Sequence, residues 1–387
     1  MNYREMDKEY IAGTYSRYDL VAEKGKGSIL TDETGREFID FTAGIGVNSL
    51  GFCDEHWIKA VVGQVKKLQH TSNLYYTKPC VDLAKKICEK TGMSKVFFGN
   101  SGAEANEGAI KVARKYGGLK NPSKVDIVTL NMSFHGRTIT TVKATGQEDM
   151  HKFFGPFPRG FVYADANDIE SLKKSVNENT CGIMLEMVQG EGGITVLNQD
   201  FVDTAVSLCK TYDALLIIDE VQTGVGRTGK FFAYEHFGIK PDIVTFAKGM
   251  GGGLPIGGFI LGEKASDVLV SGDHGSTFGG NPIVASGGCA VVDTMDENFL
   301  MQVREKGEYI VKELSKMKNI HDISGLGMMI GFKVKGIEAK EFLKRCLNRG
   351  LMVLTAKEKI RLLPPLNISE DDIKEGLDII REEQQNN

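Results

Sequence analysis

Residues that work in pairs are what this sequence lacks. Its seven cysteines (Cys53, Cys80, Cys88, Cys181, Cys209, Cys289 and Cys346) contain no C-x-x-C. That spacing argues against a thiolate metal site and suggests reduced thiols in a cytoplasmic protein. The seven histidines form no H-x-x-x-H or H-E-x-x-H, so no zinc site is expected and no metal is assigned. Basic excess is missing too. A net charge of -4 leaves nothing to neutralise phosphates in bulk, which excludes nonspecific nucleic-acid binding. Long apolar runs are absent: "ALLIID" at 214–219 is far too short to cross a bilayer, so no membrane partner is expected. The opening "MNYREMDKEY" has no apolar stretch of the kind a secretory signal needs. Proline is sparse, at nine residues in 387.

Glycine is the opposite case. Its 46 residues bunch at 99–108, 190–193, 224–229 and 249–258. Between these clusters short β-rich runs alternate with helical patterns. "KVFFGN" precedes "AEANEGAIKVARKY", and "NQDFVDTAVSLCKTYD" precedes "ALLIIDE". In the second helix Phe201, Ala205 and Leu208 recur at helical spacing behind Asn198 as N-cap. Continuous apolar strands alternating with helices predict an α/β fold, with a mostly parallel central sheet flanked by helices. From about residue 283 the glycine clusters stop. A long helix over "ENFLMQVREKGEYIVKELSKM", strands at "GMMIGFKV", "LMVLT" and "KIRLLPPL", and a last helix opening at Ser369 then read as a smaller α/β domain. The expected division is a large domain over 51–282, a small one over 283–387, and residues 1–50 packing with the small one.

Functional residues of open parallel sheets collect at the carboxyl ends of strands, and four such ends carry suggestive chemistry. "FFGNSGAEANE" leads through Ser101, Gly102 and Ala103 into a helix, where free N–H groups and the helix dipole suit a phosphate. Alone, that glycine is as well explained by a tight turn. Asp219 closes "LLIID", and a solitary acid at a buried strand mouth is costly unless a cation faces it. Lys248 closes "IVTFAK" 29 residues downstream, enough for one crossover, and four of the next five residues are glycine. "SFHGRT" at 133–138 adds an aromatic, a histidine and an arginine. A lysine after an apolar run is ordinarily a solvated strand end. Together with an acid, a phosphate cradle and an aromatic, it matches what pyridoxal 5'-phosphate needs. The amine forms an imine with the aldehyde, the carboxylate keeps the ring nitrogen protonated, backbone amides take the phosphate and an aromatic covers the ring. The glycines behind Lys248 would leave room for cofactor and substrate.

The motifs "FFGNSGAEANE", "SFHGRT", "QGEGGI", "IIDEVQTGVGRTG", "FAKGMGGGLPIGG" and "GSTFGGNP" resemble those of the class III (ω-amino acid) pyridoxal-phosphate aminotransferases, and the resemblance runs almost end to end. It implies fold type I and a ping-pong transaminase. Lys248 would hold the cofactor and shuttle the proton, Asp219 would pair with the ring nitrogen, and Gln222 would lie near the ring hydroxyl, with Glu220 and Val221 in the same stretch. Gly102 and Ala103 would bind phosphate and Phe134 would stack on the ring. Thr277 would reach the phosphate of a neighbouring subunit in a homodimer with shared sites. Arg137 would hold the substrate α-carboxylate with Ser276 nearby, while Glu191 and Arg361 would form a switchable pair. The implied reaction moves the terminal amino group of N2-acetylornithine to 2-oxoglutarate, giving glutamate. Ornithine, succinylornithine, succinyldiaminopimelate and 4-aminobutyrate remain as donors, together with the semialdehyde aminomutase reaction. Arg137 disfavours 4-aminobutyrate, which has no α-carboxylate beside its amine. A non-catalytic cofactor-binding module is the reading from another class, and the intact Lys248 and Asp219 weigh against it. Two departures, "GFCDEHW" for the family's "GHxHP" and "EMVQGEGG" for "EPxQGEGG", bear on loop shape and touch no residue given a role. His135 is expected to support its loop and not to catalyse.

Overall fold

The computed structural model describes residues 2–385. A seven-stranded sheet forms its centre, in the order Lys95–Gly99, Gly257–Leu261, Ile243–Phe246, Leu215–Asp219, Thr180–Leu185, Asp126–Leu130 and Phe161–Ala164. Only Gly257–Leu261 runs against its neighbours. Strands such as Leu215–Asp219 and Ile243–Phe246 are buried along their whole length, which is why they read as unbroken apolar runs. These two are parallel neighbours, with Asp219 in register with Thr245. The acid and the lysine therefore leave the sheet side by side at the same edge.

The helix Gly102–Gly118 follows the first strand and packs on the sheet through Ala105, Ala109, Ile110, Val112 and Ala113. Ser101 is its N-cap, accepting from the Glu104 N–H at 3.2 Å, and the Glu104 carboxylate reaches back to the Asn100 N–H at 2.9 Å. Both free ends of this turn are thereby tied, which holds the strand-to-helix corner still.

A four-stranded antiparallel sheet, Ile320–Leu326, Met329–Val334, Lys359–Leu362 and Leu354–Ala356, carries Arg361 on its third strand. The run "LMVLT" does not form one strand. Leu351–Met352 pairs with Glu37–Asp40 in an N-terminal sheet, and the chain crosses at Val353 to enter the Arg361 sheet. "CGIMLEMV" is likewise split, into Thr180–Leu185 and Val188–Gln189, with Glu186 at the break. No described helix is long and apolar enough to cross a membrane.

Candidate active site

A cavity of about 450 Å3 opens at the carboxyl ends of the parallel strands. Gly102, Ala103, Phe134, Arg137, Asp219, Val221, Gln222 and Lys248 all line it. A larger groove of about 730 Å3, between helices Glu55–Val65, Lys78–Thr91 and Pro282–Thr294, contains none of these strand-end residues. Chemistry, not size, marks the site.

Asp219 is 3% exposed, and its carboxylate is fully engaged on the side facing the protein. Its Oδ2 accepts from Asn106 Nδ2 and from His135 Nδ1, each at 2.8 Å, and its Oδ1 accepts from the Val221 N–H at 3.0 Å. A carboxylate only accepts, so the His135 proton sits on Nδ1. Burial acts to lower the His135 pKa, but the hydrogen bond and the charge of Asp219 outweigh it and the net shift is upward. Asn106 spends its second N–H on the His135 carbonyl at 2.8 Å. Asn106 and His135 thus orient the acid, a role the sequence did not disclose for Asn106.

Lys248 lies two residues past the strand Ile243–Phe246, opening a 3-10 turn over Lys248–Gly251, with φ at +43°, a left-handed conformation that costs a non-glycine residue about 1–3 kcal/mol. Strain of this kind persists where surrounding packing dictates it. Its amine makes no hydrogen bond or ion pair among the described residues. Burial first, and then the positive charge of Arg361, push its pKa down to about 8, against the opposing pull of Glu191, Asp219 and Glu186. Only the neutral amine attacks an aldehyde. Uptake of an aromatic aldehyde by the cofactor-free protein should therefore speed up as pH rises to about 8 and level off above it. Stopped-flow absorbance measures this, and a rate still climbing at pH 10 would mean an amine as basic as free lysine.

The glycines after Lys248 do something other than clear space for a ligand. Of the four, only Gly253 lines the cavity. A Cβ on Gly249 would lie 2.5 Å from Ser49 Oγ, and one on Gly252 would lie 2.7 Å from Trp57 Nε1. They let the lysine's loop pack against the N-terminal segment and the Glu55–Val65 helix. Gly102 is bare for a similar reason: a Cβ there would sit 2.7 Å from Val221 Cγ1.

Phe134 and Arg137 share the 133–138 loop, with the guanidinium 5.5 Å from the ring centroid. Arg361, 3% exposed, donates from Nη1 to Glu191 Oε1 at 2.7 Å, to the Gly190 carbonyl at 3.0 Å and to Gln222 Oε1 at 3.1 Å, while its Nε has no partner. Burial raises the Glu191 pKa, but the charge and hydrogen bond of Arg361 outweigh it, and the net shift is downward. Ser276 accepts from Asn100 Nδ2 at 3.2 Å and from the Gly279 N–H at 3.0 Å, and does not line the cavity. Thr277 is exposed and also lies outside it. Glu220 does not reach the cavity either. Its carboxylate accepts from Thr223 Oγ1 at 2.5 Å and the Tyr234 N–H at 2.8 Å, and burial pushes its pKa up to about 7. Along an extended chain successive side chains point opposite ways, so Asp219 facing the cavity sends Glu220 behind it. Glu186, which does line the cavity, had no assigned role; burial pushes its carboxyl up to about 7. The assembled set suits a phosphorylated aromatic aldehyde with a basic ring nitrogen. It offers an unpaired amine, a buried acid already oriented, and a helix N-terminus with small residues.

The family model for aminotransferase class-III matches residues 10–383. An acetylornithine aminotransferase of Haemophilus ducreyi is 48% identical over 97% of each chain. Among solved structures, the N-acetylornithine aminotransferase of Stenotrophomonas maltophilia superposes with a TM-score of 0.84 at 32% identity, covering 98% of this chain and 97% of its own. An ornithine aminotransferase of Toxoplasma gondii, described with partial occupancy of PLP at its active site, gives 0.93 at 30% identity, covering 99% and 93%.

Proposed function

Because this chain belongs to the class III aminotransferases, we propose that it uses pyridoxal 5'-phosphate to move the terminal amino group of N2-acetyl-L-ornithine to 2-oxoglutarate. The products are N-acetyl-L-glutamate 5-semialdehyde and L-glutamate, a step of arginine biosynthesis. The observation that carries the reading is the Glu191–Arg361 ion pair, whose charges act on the amine of Lys248.

When bound, the cofactor supplies an aldehyde to receive the amino group and a ring that draws electrons from the reacting carbon. Lys248 Nζ would anchor it, and the same amine is placed to move the proton of the substrate. Asp219, oriented by Asn106 and His135, would pair with the ring nitrogen and keep it protonated. The N–H groups at Gly102 and Ala103 would take the phosphate, and Phe134 would cover the ring.

Two substrates must share one site. Arg137 takes the carboxylate remote from the reacting carbon in both half-reactions. 2-Oxoglutarate brings a second carboxylate beside that carbon, and Arg361 can receive it as a charge-assisted pair. N2-acetylornithine has no such group, and an unpaired buried guanidinium would be costly, so Glu191 masks it. Neither residue lines the cavity while the pair is closed, so Glu191 must swing away to free Nη1 for the incoming carboxylate. Arg361→Ala should slow the 2-oxoglutarate half-reaction by about a hundredfold, in line with losing one partner of a buried charge pair. Glu191→Ala should let glutamate react as well or better, and so weaken discrimination in favour of the terminal amine. Single-turnover spectroscopy of each half-reaction reads both. Equal losses in both halves for both variants would make the pair structural. A donor panel under identical conditions tests the acyl group: N2-acetylornithine should give the highest kcat/KM, and a higher value for free ornithine would overturn that choice.

A homodimer fits the same reading. Thr277 is exposed and adjoins exposed Phe278, while Asn73, beside exposed Leu74, Tyr75 and Tyr76, donates to the Ser276 and Gly279 carbonyls at 3.0 and 2.9 Å. Exposed Leu74, Tyr75, Tyr76 and Phe278 gathered around Thr277 favour burial against a second copy.

A further inference from the structure

Glu186 interrupts an apolar run at the break between Thr180–Leu185 and Val188–Gln189, and is 6% exposed. A buried carboxylate at that place is costly unless it satisfies donors that nothing else can. It does so for a loop other than its own. Its Oε2 accepts from the Phe134 N–H at 3.0 Å, and from Glu186 the chain runs on through Val188–Gln189 to Gly190. Phe134 belongs to the loop of Arg137 and lies under that guanidinium. Gly190 precedes Glu191, and its carbonyl accepts from Arg361 Nη1 at 3.0 Å. The Arg137 loop is therefore joined to Arg361 through Glu186 and the short segment from it to Gly190. The two loops touch again nearby, where Gln189 Nε2 donates to the Asn131 carbonyl at 2.9 Å and Gly192 passes close enough to Met132 that a Cβ would lie 2.6 Å from its carbonyl oxygen.

We propose that Glu186 is a positioning residue that sets the separation of Arg137 and Arg361, and thereby selects a dicarboxylate of one length in the second half-reaction. The inference rests on the two-arginine reading given above and adds the element that fixes the spacing. Glutamate suits the task because its charged carboxylate reaches from its own segment to the Phe134 N–H. Glutamine offers that N–H a neutral oxygen or a clashing donor in place of a charge, and aspartate is one carbon short of reaching it.

The test uses the cofactor-loaded Glu186→Gln enzyme and two readouts. Hydrogen–deuterium exchange should rise about tenfold in both 131–137 and 188–193, the scale of one lost charged hydrogen bond. KM for 2-oxoglutarate should rise about tenfold with kcat little changed, while KM for N2-acetylornithine, which uses Arg137 alone, moves far less. Inhibition by succinate, glutarate and adipate should lose its preference for one chain length. Glu186→Asp should show the same changes at smaller size, and it carries the test if the glutamine variant does not fold. Native exchange in either segment, or equal rises in KM for both substrates, overturns the proposal. The two-arginine reading fails separately, if Arg361→Ala leaves the 2-oxoglutarate half-reaction intact. Joint loosening of both segments with that result would leave Glu186 as a link between loops and remove its part in length selection, which also overturns the proposal as stated.

Discussion

Lys248→Ala should lower transamination by more than about ten-thousandfold, the upper range that a positioned proton-transfer group contributes. Two jobs end together. The cofactor loses its only covalent tether in the cavity, and the reacting carbon loses the base that stands over it. No other lysine lines the cavity, so none is placed to take over. The fold should survive, because the amine has no hydrogen-bond partner to leave behind and its enclosure already disfavours the charged form. Thermal unfolding of the variant at or above the native midpoint, with turnover gone, is the expected pair of results. Turnover within tenfold of native would mean that another amine does the work.

Asp219→Asn should cost about a hundred- to a thousandfold in turnover, the size seen when one oriented electrostatic group is removed from a site. The shape barely changes, but the charge facing the ring nitrogen is lost. Hydrogen bonding makes matters worse. Oδ2 takes two donors and Oδ1 a third, so an amide nitrogen in either position meets an N–H head-on. One buried donor is left without an acceptor, at about 1–3 kcal/mol. Cofactor content, read from absorbance, should fall less than turnover, since the phosphate contacts and Lys248 are untouched. Near-native turnover with cofactor bound would remove Asp219 from the electron-withdrawing role.

How much of this could be read beforehand depends on the kind of residue. Asp219 and Lys248 announce themselves as charges at the ends of apolar runs, one crossover apart, and the parallel pairing of their strands follows. The strand Gly257–Leu261 hides in a glycine-rich stretch that looks like loop. Its glycines are there for contact, since a Cβ on Gly257 would lie 2.1 Å from the Ser101 carbonyl oxygen and one on Gly258 2.3 Å from that of Phe97. The glycines behind Lys248 misled in the same direction. Glu220 was drawn in by its neighbours in sequence, although strand alternation turns it away. Asn106 and Glu186 left a usable signal. Asn106 lies beside Ala105 on the buried face of its helix, and Glu186 sits inside "IMLEMV"; a polar group in an apolar setting needs a partner. Which partner it finds depends on segments distant in the chain, and only the folded arrangement brings those together.

The most direct measurement is to reduce the cofactor-loaded native enzyme with borohydride, digest it and map the modified lysine. The account predicts one pyridoxyl-tagged peptide, carrying the modification at Lys248. A tag on any other lysine, or none at all from a yellow protein that an amino donor bleaches, would contradict it.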